Sequence, residues 1–449
     1  MPGSNGPRGP RRRTLIAAAA AGAVPGCGLL PGGGSGGPDL DAAARVPRGD
    51  VTLNWWSFAM ATHDGGDLRP LLIDAFREHH PNIRVEITEA PAVTDITRTT
   101  LTTTIASGAP LPDVYMGDIA WPAQFAHNAM ALPLRTLVPD GYWQRYPEAV
   151  RRSLSYNGDV YAFPLYADQP YLFYRADLLD RHGLPVPETW EELDHAARTV
   201  MRAGDAPYGL LLQGAVFEGL TCNVAEFVAD AGGSILSENG DRATFGRRAG
   251  ERVFGYLHDA VTSGLLPSSA STFKEQDTAD AFVGGEAVFL RNWAYVWGVV
   301  NAPDSPIAGK VGVAVRPGFE GMAGHGHGCL GGWCNFVNPH SKNLGAATAF
   351  ARFCADDEAQ RLMMRHSAYL PAVTALRESR EARRSDTPVL ALAADVRLVA
   401  RPTQSPRYTQ VSKALYTQTN RVLNGGATPR QAVAAARDGI EAALEGRSL

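Results

Sequence analysis

YAFPLYADQPYLFYRADLL, residues 161–179, decides the fold. Residues 161–165 alternate as a strand, the pattern breaks at Asp168-Gln169-Pro170, and an apolar run resumes over 171–174. Proline has no backbone N–H to give a ladder and restricts the residue before it, so the break separates two strands. A chain crossing between two lobes has this form. The stretch also sets aromatic faces beside a carboxylate and an amide, as a cleft for a small polar ligand requires. It predicts a hinge in which Asp168, and more weakly Gln169, faces a ligand.

Upstream, strand and helix patterns alternate. Val51, Leu53 and Trp55 mark a strand; Leu71, Leu72, Ala75 and Phe76 recur at helical spacing before Pro81; Ile83, Val85 and Ile87 mark a second strand. A helix over 94–107 stops at Gly108, and a third strand runs over 113–118. This order predicts an α/β protein on a parallel sheet. Downstream, Thr189-Trp190-Glu191-Glu192 is a capping box. Helices are expected over 221–231, 248–264, 346–354 and 357–366, the last with Asp356 as cap, and strands at 210–213, 311–315 and 331–337. Residues 284–289 turn into a strand leading to Asn292-Trp293. Two C-terminal helices follow, the second opened by Thr428-Pro429-Arg430-Gln431.

The 449 residues are 45% hydrophobic and 20% charged, enough for two to three domains with substantial cores. A net charge of −4, with no basic run after Arg13, excludes a nucleic-acid footprint. Arg11-Arg12-Arg13, an apolar run over 15–24 and Pro25-Gly26-Cys27 form a secretory signal, shorter than the ~20 residues a bilayer span needs. Its end resembles the bacterial lipobox, from which Pro25 departs; cleavage before Cys27 and lipidation of its thiol are expected, the alternative being a secreted protein with an incidental cysteine. Arg12-Arg13-Thr14-Leu15-Ile16 also resembles a twin-arginine signal, so the export route stays open. Residues 28–49, rich in Gly, Pro and Ala, read as a flexible tether with a reach of roughly 26 Å. Cys222, Cys329, Cys334 and Cys354 could be thiols or include one disulfide, with the pairing open.

Several fragments in order resemble the family 1 extracellular solute-binding proteins of ABC importers: the lipobox, Asp113 to Asp118 with Trp121, YRADLL at 174–179, PETWEEL at 187–193, Gly232-Gly233-Ser234, FVGGEAV at 282–288 and Gly331-Gly332-Trp333. Residues 113–134, Glu218-Gly219-Leu220, AGGSILSENG at 231–240 and Arg401-Pro402 further resemble actinobacterial trehalose-binding lipoproteins. The resemblance implies a two-lobed periplasmic-binding-protein-like fold of type II, each lobe a sheet flanked by helices. Lobe I would comprise 50–167 and 335–400, and lobe II 168–334 and 401–449, with crossings near Asp168, Trp333 and Arg401. It implies a monomer anchored at the outer face of the bacterial cytoplasmic membrane, delivering an α-linked disaccharide such as trehalose to ABC permease subunits.

Sugar hydroxyls need carboxylate acceptors and Arg or Asn donors, and the apolar ring faces need an indole. Asp118, just past a strand, becomes a hydroxyl acceptor, or else caps the helix after it. Asp168 stands where trehalose binders commonly carry Asn. Glu218 is a ligand candidate or an acid placed favourably before a helix. Trp293 is the main stacking platform, with Asn292 and Tyr295 beside it. Gly332 permits close backbone approach next to Trp333, and Arg401 could donate to a ring oxygen. Trp56, His63 and Asp64 are minor additions. His325-Gly326-His327 lacks the third ligand of a metal site, and no cofactor fingerprint occurs. Maltose or a longer oligosaccharide, an amino sugar and a glycerol-phosphate compound are alternative ligands. An anchored glycosidase, with Asp118 and Glu218 as a catalytic pair, is the alternative class.

Overall fold

The computed structural model describes residues 37–447 except 63–64, 92–93 and 322–325. The signal segment, Cys27, residues 28–36 of the expected tether, His63, Asp64 and His325 therefore lie outside the described residues.

The alternation of buried residues builds a first sheet from β1 (Val51–Ser57), β2 (Ile83–Glu89) and β3 (Val114–Asp118). A hairpin follows, β4 (Ser155–Tyr156) and β5 (Asp159–Val160), turning through Asn157 and Gly158, both at positive φ. The remaining strands are β6 (Phe163–Asp168), β7 (Pro170–Arg175), β8 (Tyr208–Leu211), β9 (Ala287–Trp293), β10 (Val311–Ala314), β11 (His327–Cys329), β12 (Gly331–Val337) and β13 (Arg397–Val399). The first sheet has the order β2-β1-β3-β12-β6. It is parallel among β2, β1 and β3 and antiparallel where β12 meets β3 and β6, so the expected parallel sheet is mixed. The second has the order β10-β7-β9-β8, with β7 antiparallel to both neighbours and β8 parallel to β9.

Each sheet has its own core. Trp55, Phe76 and Phe350 pack in the first, with helices Arg69–His79 and Leu344–Ala355. Trp190 and Phe227 pack in the second, among helices Trp190–Ala203, Glu218–Asp230, Arg247–Thr262, Tyr408–Leu423 and Pro429–Leu444. The capping boxes at Thr189 and Thr428 are both formed. Asp356 makes no cap hydrogen bond; it accepts from Tyr142 and Arg145, each at 2.8 Å.

A single residue, Gln169, separates β6 in the first sheet from β7 in the second. The second crossing falls at Leu330: Cys329 is buried in the second core and Leu330 in the first. Gly331 to Cys334 therefore belong to the first sheet, not to lobe II. Ala382, Val389, Leu390, Ala393 and Val396 pack with Tyr171 and Phe173 of β7, so this part of the expected lobe I joins the second lobe. β13 then pairs with β11 before the chain enters helix Tyr408–Leu423.

Part of the expected tether is folded. Asp39 accepts from the Ala42 N–H at 2.9 Å to cap helix Leu40–Ala43, and Ala43 is buried against the first core. A Cβ on Gly345 would lie 1.8 Å from the Arg45 carbonyl oxygen, so glycine is what lets the segment lie against helix Leu344–Ala355. Gly345→Val is expected to cost about 1–3 kcal/mol by overpacking, lowering Tm and opening residues 39–46 to proteolysis. Gly255→Ala, where an added Cβ meets nothing within 4 Å, should change neither adversely.

Candidate functional site

The sheets place their strand ends around a cleft of about 800 Å³. Its first-lobe wall includes Phe58, Asp118, Tyr166, Asp168, Trp333 and Tyr369; its second-lobe wall includes Phe217, Glu218, Lys274, Glu275, Trp293 and Tyr295. Arg401 lines it from the connection between β13 and helix Tyr408–Leu423; with 382–396 already packed on the second lobe, the expected crossing near Arg401 falls earlier in the chain.

β3 ends in Asp118, opposite Trp333 of β12. Asp118 does not cap helix Pro122–His127, whose N-cap is Trp121 without a side-chain bond. Its Oδ1 accepts the Ala120 N–H at 2.8 Å, shaping the turn into helix Pro122–His127, and it also receives Arg401 Nη2 at 2.5 Å. Arg401, 3% exposed, donates through Nη1 to Glu218 Oε1 at 2.9 Å. Glu218 lies inside the first turn of helix Glu218–Asp230 rather than before it, and also accepts from the Tyr408 hydroxyl and from Ser412 Oγ at 2.6 Å. Burial raises the Glu218 pKa and neighbouring Asp118 adds to this, while Arg401 opposes both. Arg401 is already paired with two carboxylates, and its Nε is buried with no hydrogen-bond partner among the described residues.

Asp168 pairs with Gly331 across β6 and β12 and is only partly exposed to the cleft. Burial pushes its pKa up to about 7 despite hydrogen bonds from the Gln169 and Ala294 amides and the charges of Arg291 and Arg377. Gly332 has φ +114°, and a Cβ there would lie 2.3 Å from the Tyr166 carbonyl oxygen. A Cβ on Gly331 would meet the Trp293 ring at 2.7 Å. Gly331 thus lets β12 lie against the Trp293 indole, and Gly332 lets it lie close against β6. Trp333 is held edge-on by Phe58 and Trp121, at centroid distances of 4.7 and 5.7 Å. Trp293 rests on the Arg291 guanidinium, 4.6 Å from its ring. Arg291 is fixed in turn by Glu226 and Gln213.

Two expected residues do not line the cleft. Gln169 is fully buried: its Nε2 donates to the Tyr171 hydroxyl at 2.7 Å and the Ala393 carbonyl at 3.1 Å, and its Oε1 accepts from Arg377. It ties the hinge together. Asn292 is also buried, its amide donating to the Glu275 carbonyl and Thr278 Oγ1, both at 3.0 Å, while its oxygen accepts from the Trp293 N–H. Neighbours on a strand face opposite ways, so Trp293 at the cleft turns Asn292 from it. Trp56 belongs to the first core. His327 is engaged by Asp230 at 3.0 Å.

Sequence reasoning missed Phe58, Tyr166, Phe217, Lys274, Glu275 and Tyr369 on the walls, and Tyr408 and Ser412 behind Glu218. Tyr166 was within reach, two residues before Asp168 on the same strand face. Tyr408 and Ser412 carry no local signal, because their partner is distant in the chain.

The comparisons agree with this architecture. Residues 62–361 match the family described as bacterial extracellular solute-binding protein. A probable ABC transporter-binding protein of Deinococcus radiodurans is 28% identical over 331 residues, 72% of this chain and 77% of that protein. Maltose-bound MalE3 of T. maritima superposes with a TM-score of 0.76 at 28% identity, over 87% of this chain and 99% of that one. The GacH receptor of Streptomyces glaucescens GLA.O, solved unliganded and with acarbose, gives 0.76 at 24% identity over 89% and 100%, a likeness of fold alone. The fold is that of the maltose-binding-protein-like, type II periplasmic binding proteins. With its two sheets, its crossings and a family match spanning most of its length, the chain belongs to the bacterial extracellular solute-binding proteins.

Proposed function

We propose that the protein captures an α-linked disaccharide, such as trehalose, between its lobes and delivers it to the permease of an ABC importer, held at the outer face of the membrane by lipid on Cys27. The observation that carries the reading is the pairing of two indoles, Trp293 from the second lobe and Trp333 from the first, around carboxylates and a guanidinium contributed from both lobes. Indoles suit the apolar faces of sugar rings, and Asp118 and Asp168 suit vicinal hydroxyls. A ligand touching both walls stabilises the closed arrangement, which a permease can distinguish from the open one. Maltose bound to MalE3 supports an α-linked sugar as the class. The cleft's size favours a second reading, a longer α-linked oligosaccharide reaching Phe217 and Lys274.

Titration calorimetry with trehalose, maltose and maltotriose tests both readings: trehalose binding best supports the disaccharide, maltotriose binding best supports the longer ligand, and silence from all three at millimolar concentration overturns the sugar class. Recovery of the bound sugar intact distinguishes capture from hydrolysis. Trp293→Ala is expected to weaken binding at least tenfold, as loss of a central aromatic contact does; unchanged affinity removes the stacking role.

Asp168 adds a dependence on pH. Its folded pKa, about 7, lies above the ordinary 3.8, so the folded state holds the proton more tightly than the unfolded one. Its contribution to stability therefore falls as pH rises from about 4 to about 7, and the destabilisation is complete above that. Asp168→Asn should melt higher than the parent at pH 8, with the gap closing toward pH 4 in thermal scans. It should also remove from the affinity–pH profile any inflection near 7.

A further inference from the structure

Two of the four cysteines in the described residues, Cys222 and Cys329, share one core behind the cleft. Cys222 lies one helical turn after Glu218 on helix Glu218–Asp230 and lines the cleft floor, almost fully buried. One turn further along the same face, Glu226 Oε1 accepts the backbone N–H of Cys329 at 3.1 Å. That bond seats the end of β11 on the helix face carrying Cys222, and the Cys329 thiol is the neighbour that acts most strongly on the Cys222 thiol. Both belong to the second core, whereas Cys334 and Cys354 belong to the first. The four are thiols in this structure.

We infer that Cys222 and Cys329 are a disulfide pair, oxidised to one covalent cross-link in the exported protein. Extracytoplasmic compartments favour such bonds, and the family places the chain there. The oxidant is the disulfide of an extracytoplasmic thiol–disulfide oxidoreductase. One cysteine thiolate attacks a sulfur of that disulfide, expelling the other sulfur as a thiolate; the second cysteine thiolate then displaces the oxidant from the mixed disulfide. Two protons leave the cysteines, and two electrons end on the oxidant's dithiol. In the folded chain the neighbouring Cys329 thiol and burial hold the Cys222 thiol well above its ordinary pKa, so the exchange belongs to the stage before this helix packs. The cross-link would tie the turn carrying Glu218 to Cys329, the last second-lobe residue before the crossing at Leu330. Both ends lie in one lobe, so the hinge stays free while its pivot is fixed relative to Glu218.

The test uses the full chain exported to an oxidising compartment, denatured in excess iodoacetamide without reductant, and analysed by intact mass and non-reduced peptide mapping. Among the four cysteines of the described residues, the expected result is alkylation of Cys334 and Cys354 only, with one cross-linked peptide pair containing Cys222 and Cys329; the peptide carrying Cys27 is scored separately. Reduction before alkylation should then label all four. Alkylation of all four without reductant, or a cross-link between any other pair, overturns the inference. As a second readout, the oxidised protein should melt roughly 5–10 °C above the protein held in reductant. In Cys222→Ala that difference should vanish; its persistence overturns the assignment to this pair.

Discussion

A guanidinium taken out of water must be met by negative charge, and Arg401 is met from two lobes at once. Asp118 stands at the end of a first-sheet strand and Glu218 opens a second-lobe helix, while Arg401 itself lies on the last strand-to-helix connection. Removing one partner of such a buried set costs roughly 3–5 kcal/mol, since a charge is left uncompensated. The cleft floor is thus a joint that holds its shape only while all three elements are in register. Tyr408 and Ser412 extend the same constraint into the C-terminal helices, which would otherwise be remote from any ligand.

The walls above this floor are stiffened differently on each side. Trp333 is wedged among aromatic edges, an arrangement with no net charge. Trp293 sits on a stack of fully buried charges, Arg291 on Glu226, with Arg316 joining Glu226 to Asp230. Because each of these charges is met by an opposite one, the indole above them has a fixed base. A stacking surface that does not move loses less freedom when a ligand arrives.

Much of this was legible in residues 161–179. A polar break at a proline between two apolar runs can hardly be anything but a crossing, and Asp168 lies on the cleft side of it. Asp118, Trp293, Gly332, Trp333 and Arg401 were legible as strand-end or linker residues of types that suit sugars. Gln169 and Asn292 were not separable from them, because a polar residue at a strand end looks the same whether it serves the ligand or the hinge. Only parity along the strand divides them, and parity needs the register. The Glu226 network and the docking of 382–396 on the second lobe were out of reach for a simpler reason: each depends on partners far away in the chain.

The segment before β1 changes the mechanics of the molecule. Because Asp39 to Arg45 is packed onto helix Leu344–Ala355, a pull on the N-terminus enters the first lobe through that helix rather than directly through β1. With the proposed lipid on Cys27 as the fixed point, the first lobe would be the stator and the second the rotor. Closure of the cleft would then be an arc swept by one jaw past a stationary one, the swinging jaw carrying Glu218, Trp293 and the C-terminal helices with it.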